Sequence, residues 1–243
     1  MEGEALDKPG GLCLRGGMKF TSFGHSCFLV ESGGQKLLFD PFITPNPLAK
    51  DVEISKIQAD LILLSHGHVD HVADTVALAN QTGAPVVCNW EVSEWLSRQG
   101  LSNLVPMNHG GSVRFGFGRV KMTSAIHSST MPDGSAGGNP GGYVVVLAEG
   151  AFYYSGDTAL TMDMKLIAEE FAIRFAVLPI GDHFTMGAAD AARAASFVNT
   201  NTVAGVHYNT FPPIKINREE AIKTFSNAGL KLLLPPIGKT IEV

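Results

Sequence analysis

The sequence predicts an α/β fold: two β-sheets packed face to face, with helices on their outer sides. Three observations predict it. Strand-like runs bounded by turn signals give way to alternating strand and helix patterns, and this happens twice along the chain. Residues 59–65 (ADLILLS) are an almost unbroken apolar run, as expected of a strand buried on both faces. The 243 residues and 45% hydrophobic content suffice for a single domain with a large core.

The elements follow in order. Residues 19–24 (KFTSFG), 27–32 (CFLVES) and 35–40 (QKLLFD) read as strands rich in Phe, Leu and Val, with SGG as a hairpin turn. After the buried strand at 59–65, residues 72–83 (VADTVALANQTG) place apolar side chains at helical spacing and stop at Gly. PVVCN (85–89) is strand-like, and residues 91–100 form a helix, again closed by Gly. Residues 112–126 read as a β-hairpin or meander, and 141–157 as another strand pair. The second alternation comprises a helix at 162–171, a strand at 173–181, an Ala-rich helix at 186–199 and a strand at 202–208. Residues 217–229 open on an Asn cap and close at Gly, and 230–243 supply a final strand or two.

Composition excludes several function classes. The net charge is −5, from 18 Lys and Arg against 23 Asp and Glu, so the basic footprint of a nucleic-acid binder is missing. No apolar run approaches the roughly eighteen residues of a membrane span. Cys13, Cys27 and Cys88 form no CxxC pair, so neither a disulfide framework nor a thiolate zinc site is expected, and a reducing cytoplasm is the simplest setting. Residues 1–17 lack the apolar segment of a secretory signal and read as a disordered extension, an alternative start or an expression remnant; the patterned domain is 18–243.

The chemistry concentrates at residues 66–71, HGHVDH, where the buried strand meets a helix. Polar groups are costly to bury without partners, so His66, His68, Asp70 and His71 at such a point need hydrogen bonds or a metal. His66 and His68, two apart in extended chain, project to one side, while Asp70 and His71 turn away with the helix. Two adjacent ions with different ligand sets could be served in this way. Three later strand ends repeat the pattern: VKMTSAIH delivers His127, AFYYSGD delivers Asp157 and TVAGVH delivers His207. Each alone reads as a structural histidine or an ordinary turn; four together point to a metal site. Imidazole and carboxylate without thiolate suit zinc, manganese or iron.

With SGDT and HYNT, the SHGHVDH segment resembles the metallo-β-lactamase superfamily. GHSCFLVE, LLFDPF and LPIGDHFTMG narrow the resemblance to its compact bacterial metal-dependent hydrolases, related to ascorbate-6-phosphate lactonases and N-acyl-phosphatidylethanolamine phospholipase D. The resemblance implies an αβ/βα four-layer sandwich with two divalent ions at one sheet edge, zinc first, manganese or iron otherwise. By motif match His66, His68 and His127 would hold the first ion. Asp70, His71 and His207 would hold the second, with Asp157 bridging. The activity implied is hydrolysis of an ester, lactone or phosphodiester small molecule by a hydroxide held between the ions. An iron-dependent oxidoreductase or dioxygenase on the same fold, and a non-catalytic metal-binding protein, are the rival classes. A homo-oligomer is also expected.

Other residues carry weaker signals. His25 reads as a pocket or ligand-supporting residue, or simply as a buried histidine. Asp40 could orient a ligand histidine, although Asp-Pro also starts turns. His183 stands where members of this branch often carry an amide, and is expected, with Asp70, to act in catalysis, as an oxyanion donor or general acid. Tyr208 and Asn209 adjoin a ligand and are expected in the pocket. His109 reads as a loop residue, Cys27 and Cys88 as core, and the Gly- and Pro-rich residues 131–142 as a flexible surface loop or a substrate gate.

Overall fold

In the computed structural model, which describes residues 17–243, the first half of the chain forms β1 (Lys19–Gly24), β2 (Cys27–Ser32), β3 (Gln35–Phe39) and β4 (Leu61–Leu63). A single-turn α1 (Val69–Val72), α2 (Thr75–Thr82), β5 (Val86–Asn89), α3 (Trp90–Arg98) and β6 (Leu104–Met107) follow. The second half forms β7 (Ser112–Phe115), β8 (Gly118–Ser124), β9 (Gly141–Leu147), β10 (Gly150–Tyr154), α4 (Met164–Glu170) and β11 (Ile173–Pro179). It ends with α5 (Ala188–Phe197), β12 (Thr202–Val206), α6 (Arg218–Asn227), β13 (Lys231–Leu233) and β14 (Thr240–Glu242). The expected extension at 1–17, except Gly17, and Cys13 lie outside the described residues.

Two seven-stranded sheets result, in the orders β14-β1-β2-β3-β4-β5-β6 and β13-β12-β11-β10-β9-β8-β7. Side chains alternate along each strand, and this alternation sorts the core into layers. Phe28, Val30, Leu37, Phe39, Leu61 and Leu63 face Phe152, Tyr154, Phe175 and Val177 between the sheets. Their neighbours Leu29, Leu38 and Ile62 point outward to α2 and α3, and Tyr153, Ala176 and Leu178 point to the helices of the second sheet. The result is the αβ/βα four-layer sandwich expected. Fully burying side chains of this size stabilises by about 1.5–3 kcal/mol each, in the inter-sheet layer and in the two outer layers alike.

Three elements differ from the sequence reading. The helix expected at 72–83 is broken at Asp74, whose carboxylate accepts from the Ile43 and Thr44 amides at 2.6 and 2.9 Å. β6 was not expected; it carries Pro106 and lies at the sheet edge, where a missing donor is tolerated. The two C-terminal strands divide between the sheets, β13 joining β12 and β14 crossing to β1. No helix among the described residues is long and apolar enough to cross a membrane.

Strand direction positions the site. β1 and β3 are each antiparallel to β2, and β3 to β6 are parallel, so β1 and β3–β6 all run one way. By the same reasoning β8, β10, β11 and β12 share a direction in the second sheet. Their carboxyl ends meet at one edge of the sandwich, where loops can face a cleft.

Candidate metal centre

Every residue of the cluster leaves a strand at that edge. Beyond β4, His66 is fully buried, and His68 is the extended residue that begins α1, the turn carrying Asp70 and His71. The spacing of two brings His66 Nε2 to 2.9 Å from His68 Nδ1. Gly67 between them is required by packing, because a Cβ would run into Met131, Ser129 and Gly137. His127 follows β8, Asp157 follows β10 and His207 follows β12. Gly156, at φ +62°, turns the chain into Asp157 where a side chain would strike the Gly141 carbonyl.

Left-handed backbone marks the same edge. His25, Asp40, Asp182, His183, His207 and Asn209 have φ between 40° and 62°, and all follow strands that end there. Such conformations cost of order 1–3 kcal/mol each and persist where surrounding structure enforces them, typically at functional sites.

The ligand-capable atoms fall into three overlapping groups, each within 4.8 Å: His66, His68 and His127; His25, Asp70, His71 and His207; and His66, His71 and Asp157. Asp157 lies between them, with Oδ2 at 2.9 Å from His207 Nε2, 3.2 Å from His71 Nε2 and 3.7 Å from His127 Nε2. Proximity does not satisfy these groups. Asp157 Oδ1, His71 Nε2 and His207 Nδ1 are buried without a hydrogen-bond partner, although buried polar atoms nearly always have one. Unpartnered donor atoms on converging imidazoles and carboxylates fit one or more divalent cations, and the lack of thiolate disfavours a soft structural site.

The electrostatics agree. Burial holds His66 well below the usual histidine range and lowers His68 and His127 as well, so these rings are neutral, as ligands must be. Burial also opposes charge on His71, but Asp157 and Asp40 outweigh it and raise its pKa well above normal. For Asp157, burial is likewise outweighed, by His207 and His71, which hold the carboxyl well below its usual range. The carboxylates on either side of His71 thus favour positive charge at its ring.

A supporting layer fixes the rings. Asp40, fully buried, accepts from His71 Nδ1 at 2.8 Å, Ser65 N at 2.7 Å, Ser65 Oγ at 2.6 Å and the Tyr154 hydroxyl at 2.5 Å. The His71 bond turns Nε2 toward Asp157. Ser65 Oγ also lies 2.9 Å from His66 Nδ1. His25, buried with a pKa lowered to about 4 by desolvation, bonds Asp70 Oδ2 at 3.0 Å and Thr210 at 2.9 Å. Ser65, Tyr154 and Thr210 escape sequence reasoning; Tyr154 alone leaves a trace, a phenol closing an apolar run and needing a buried partner.

The other expected residues lie around the cluster or away from it. His183 is exposed, its ring packed edge-on against Phe184 with centroids 4.4 Å apart, and no hydrogen bond joins it to the cluster. Tyr208 and Asn209 line a cavity of about 290 Å³ together with His25 and Arg218, and the Asn209 oxygen accepts from Ile216 N at 2.9 Å. His109 bonds the Pro140 carbonyl at 2.8 Å. Cys27 and Cys88 are buried, their thiols pushed up by desolvation, Cys88 to about 12. Residues 131–142 are not loosely attached: Trp95 Nε1 donates to Asp133 at 2.9 Å, Asn89 Nδ2 to Gly137 O at 2.7 Å, and Met131 is buried. A cavity of about 350 Å³ lies between β8 and α4, lined by Lys121, Met164 and Phe171, and one of about 550 Å³ lies beside His183, lined by Asp182, Lys215 and Glu220.

A family model described as a beta-lactamase superfamily domain matches residues 35–208, a span that holds all seven expected ligands. A UPF0173 metal-dependent hydrolase of Methylacidiphilum infernorum is 48% identical over 224 residues, covering 92% of this chain and 99% of its own. Another, from Flavobacterium johnsoniae, is 47% identical over 226 residues, covering 93% and 100%. Among solved structures, Igni18, a metallo hydrolase from Ignicoccus hospitalis, superposes with a TM-score of 0.83 at 33% identity, covering 92% of this chain and 97% of that one. The chain therefore belongs to the beta-lactamase superfamily and, within it, to the UPF0173 metal-dependent hydrolases.

Proposed function

We propose that this hydrolase works with two divalent ions, zinc in the first instance, and cleaves an ester, lactone or phosphodiester of a small molecule. His66, His68 and His127 would hold one ion, and Asp70, His71 and His207 the other, with Asp157 shared. The observation that carries this reading is Asp157 itself: a buried carboxylate set among histidines of both groups, with one oxygen unpartnered. Two close divalent ions, when bound, lower the pKa of a water toward neutrality and polarise the bond to be cleaved.

The chain's own residues do the rest. Asp157 offsets positive charge at the centre, and Asp40 and Ser65 fix the ring faces of His71 and His66. Asp70, bonded to His25 and with its side chain 22% exposed, would meet substrate and take up a proton. His183, on the loop after β11, would donate to charge developing on the substrate. In that role His183→Ala lowers kcat and kcat/KM together by on the order of a hundredfold with metal content intact; a change below about twofold removes the residue from the chemistry.

Elemental analysis after reconstitution tests the metal reading. Close to two ions per chain are expected; Asp157→Ala should lose both, and His127→Ala chiefly one. No metal uptake from zinc, manganese or iron would end the proposal, and full metal content in both variants would end the shared-carboxylate assignment. Oxygen consumption by iron-loaded protein would favour the oxidoreductase class instead. A cytoplasmic setting is consistent with the two free buried thiols, and light scattering would test for a homo-oligomer.

A further inference from the structure

The edge that carries the metal cluster has an unusual surface chemistry. Six large hydrophobic side chains among the described residues are more than half exposed, and five stand on segments that leave strands at this edge. Val69, 55% exposed, lies between His68 and Asp70, and Ile126, 59% exposed, immediately precedes His127. Phe184, 51% exposed, packs on His183. Trp90 follows Asn89, whose amide holds the Gly137 loop that packs against Gly67, and Met162 ends the loop that begins at Asp157. Exposed apolar side chains scattered singly need no explanation, but a concentration around reactive groups marks a binding surface.

Charge gives the second half. Residues 40–48, 65–75, 125–141, 155–162, 180–187 and 207–214 contain no Lys and no Arg. These stretches contribute Asp70, Asp157 and Asp182 and no fixed cation; the first cations beyond the last of them, Lys215 and Arg218, line cavities beside His183 and His25 respectively. Sites that select phosphate or carboxylate groups usually present arginine or lysine to them. This rim presents hydrocarbon.

We infer that the substrate is a neutral molecule with an apolar body, an ester or lactone carrying an alkyl or aryl group, and that the rim of Val69, Ile126, Phe184 and Trp90 selects it. The inference rests on the metal reading above and narrows it, setting anionic phosphodiesters aside. A second copy of the chain is the poorer occupant, because covering this rim would also seal His68, Asp70 and His127, the expected ligands that retain solvent exposure.

Straight-chain hydroxamates separate the two readings, since the head group chelates metal and the tail reports on the rim. Binding of acetohydroxamate through octanohydroxamate to zinc-reconstituted protein is measured by calorimetry. Acetohydroxamate should bind in a metal-dependent way, and each added methylene should tighten binding about two- to fourfold until the rim is filled. Val69→Ser with Ile126→Ser, and separately Phe184→Ala, should flatten that slope at unchanged metal content and unchanged acetohydroxamate affinity. A flat slope in the wild type overturns the inference and leaves the metal reading standing. So does a slope that both rim variants preserve, or rim variants that only dissociate an oligomer. If acetohydroxamate fails to bind the metal-loaded protein, the metal reading fails and the inference with it.

Discussion

Asp40 accepts four hydrogen bonds in a site with no exposed surface, and each donor is itself committed to the metal edge. Asp40→Asn keeps the volume but turns an N–H₂ toward donors that need an acceptor. The expected result is a loss on the order of 3 kcal/mol in urea unfolding, the usual cost of breaking a buried charged network. Metal affinity should fall about tenfold to a hundredfold, because His71 loses the bond that sets its tautomer. A variant with unchanged unfolding and metal titration would remove Asp40 from the support of His71. The contrast with the histidines shows what one sequence can reveal at this scale. HGHVDH is legible because charged and polar groups at the end of a buried strand need partners. Asp40 remains ambiguous because Asp-Pro also begins turns, and only its bonds to Ser65, 25 residues away, and Tyr154, 114 residues away, decide between the readings. The His25 bonds to Asp70 and Thr210 span 45 and 185 residues, and local pattern contains no trace of them.

Among the elements, strands with alternating or continuous apolar runs were readable, because period-two burial is written directly into composition. The misread stretches are those where a distant side chain overrides the local signal. Asp74 interrupts a good helical pattern to bind the chain after β3. Residues 131–142 have the glycine and proline content of a free loop, yet Asn89 and Trp95 tie them down. Asn89 makes the point testable. Its Oδ1 caps α3 by accepting from Val92 N at 2.8 Å, while its Nδ2 donates to Gly137 O and Asn139 O at 2.7 and 3.0 Å. Asn89→Ala therefore removes a helix cap and two loop anchors, with an expected loss of roughly 2 kcal/mol. Amide exchange around residues 137–141 should accelerate while the strands of the inter-sheet core stay protected. Loop exchange identical to the wild type would mean that Trp95 and Met131 hold the segment unaided.

On the scale of the whole molecule, the cluster joins two halves whose packed sheet faces are largely hydrocarbon. His66, His68, Asp70 and His71 come from the first sheet, and His127, Asp157 and His207 from the second. An ion bound among them ties the sheet ends together and stabilises the folded state by mass action. At free metal a hundredfold above its Kd the gain is about 2.7 kcal/mol, and at roughly 2–4 °C per kcal/mol for a chain of this size, chelation should lower Tm by on the order of 5–10 °C. The pH dependence has a definite sign. The His71 pKa is raised in the metal-free fold, so its protonated contact with Asp157 and Asp40 stabilises fully below the ordinary histidine pKa of 6.5 and is lost as pH rises through the raised value. The contribution of Asp157, whose pKa is lowered, is present above the usual carboxylate pKa of 3.8 and is lost only as pH falls through the depressed value. A metal ion must displace the His71 proton, so the Tm difference between loaded and chelated protein should widen as pH rises from about 6 to 8. Asp157→Ala should abolish the difference at every pH. A gap that narrows with rising pH would mean that the ion does not replace a proton on His71, and a gap that survives in Asp157→Ala would place the stabilising ion away from this cluster.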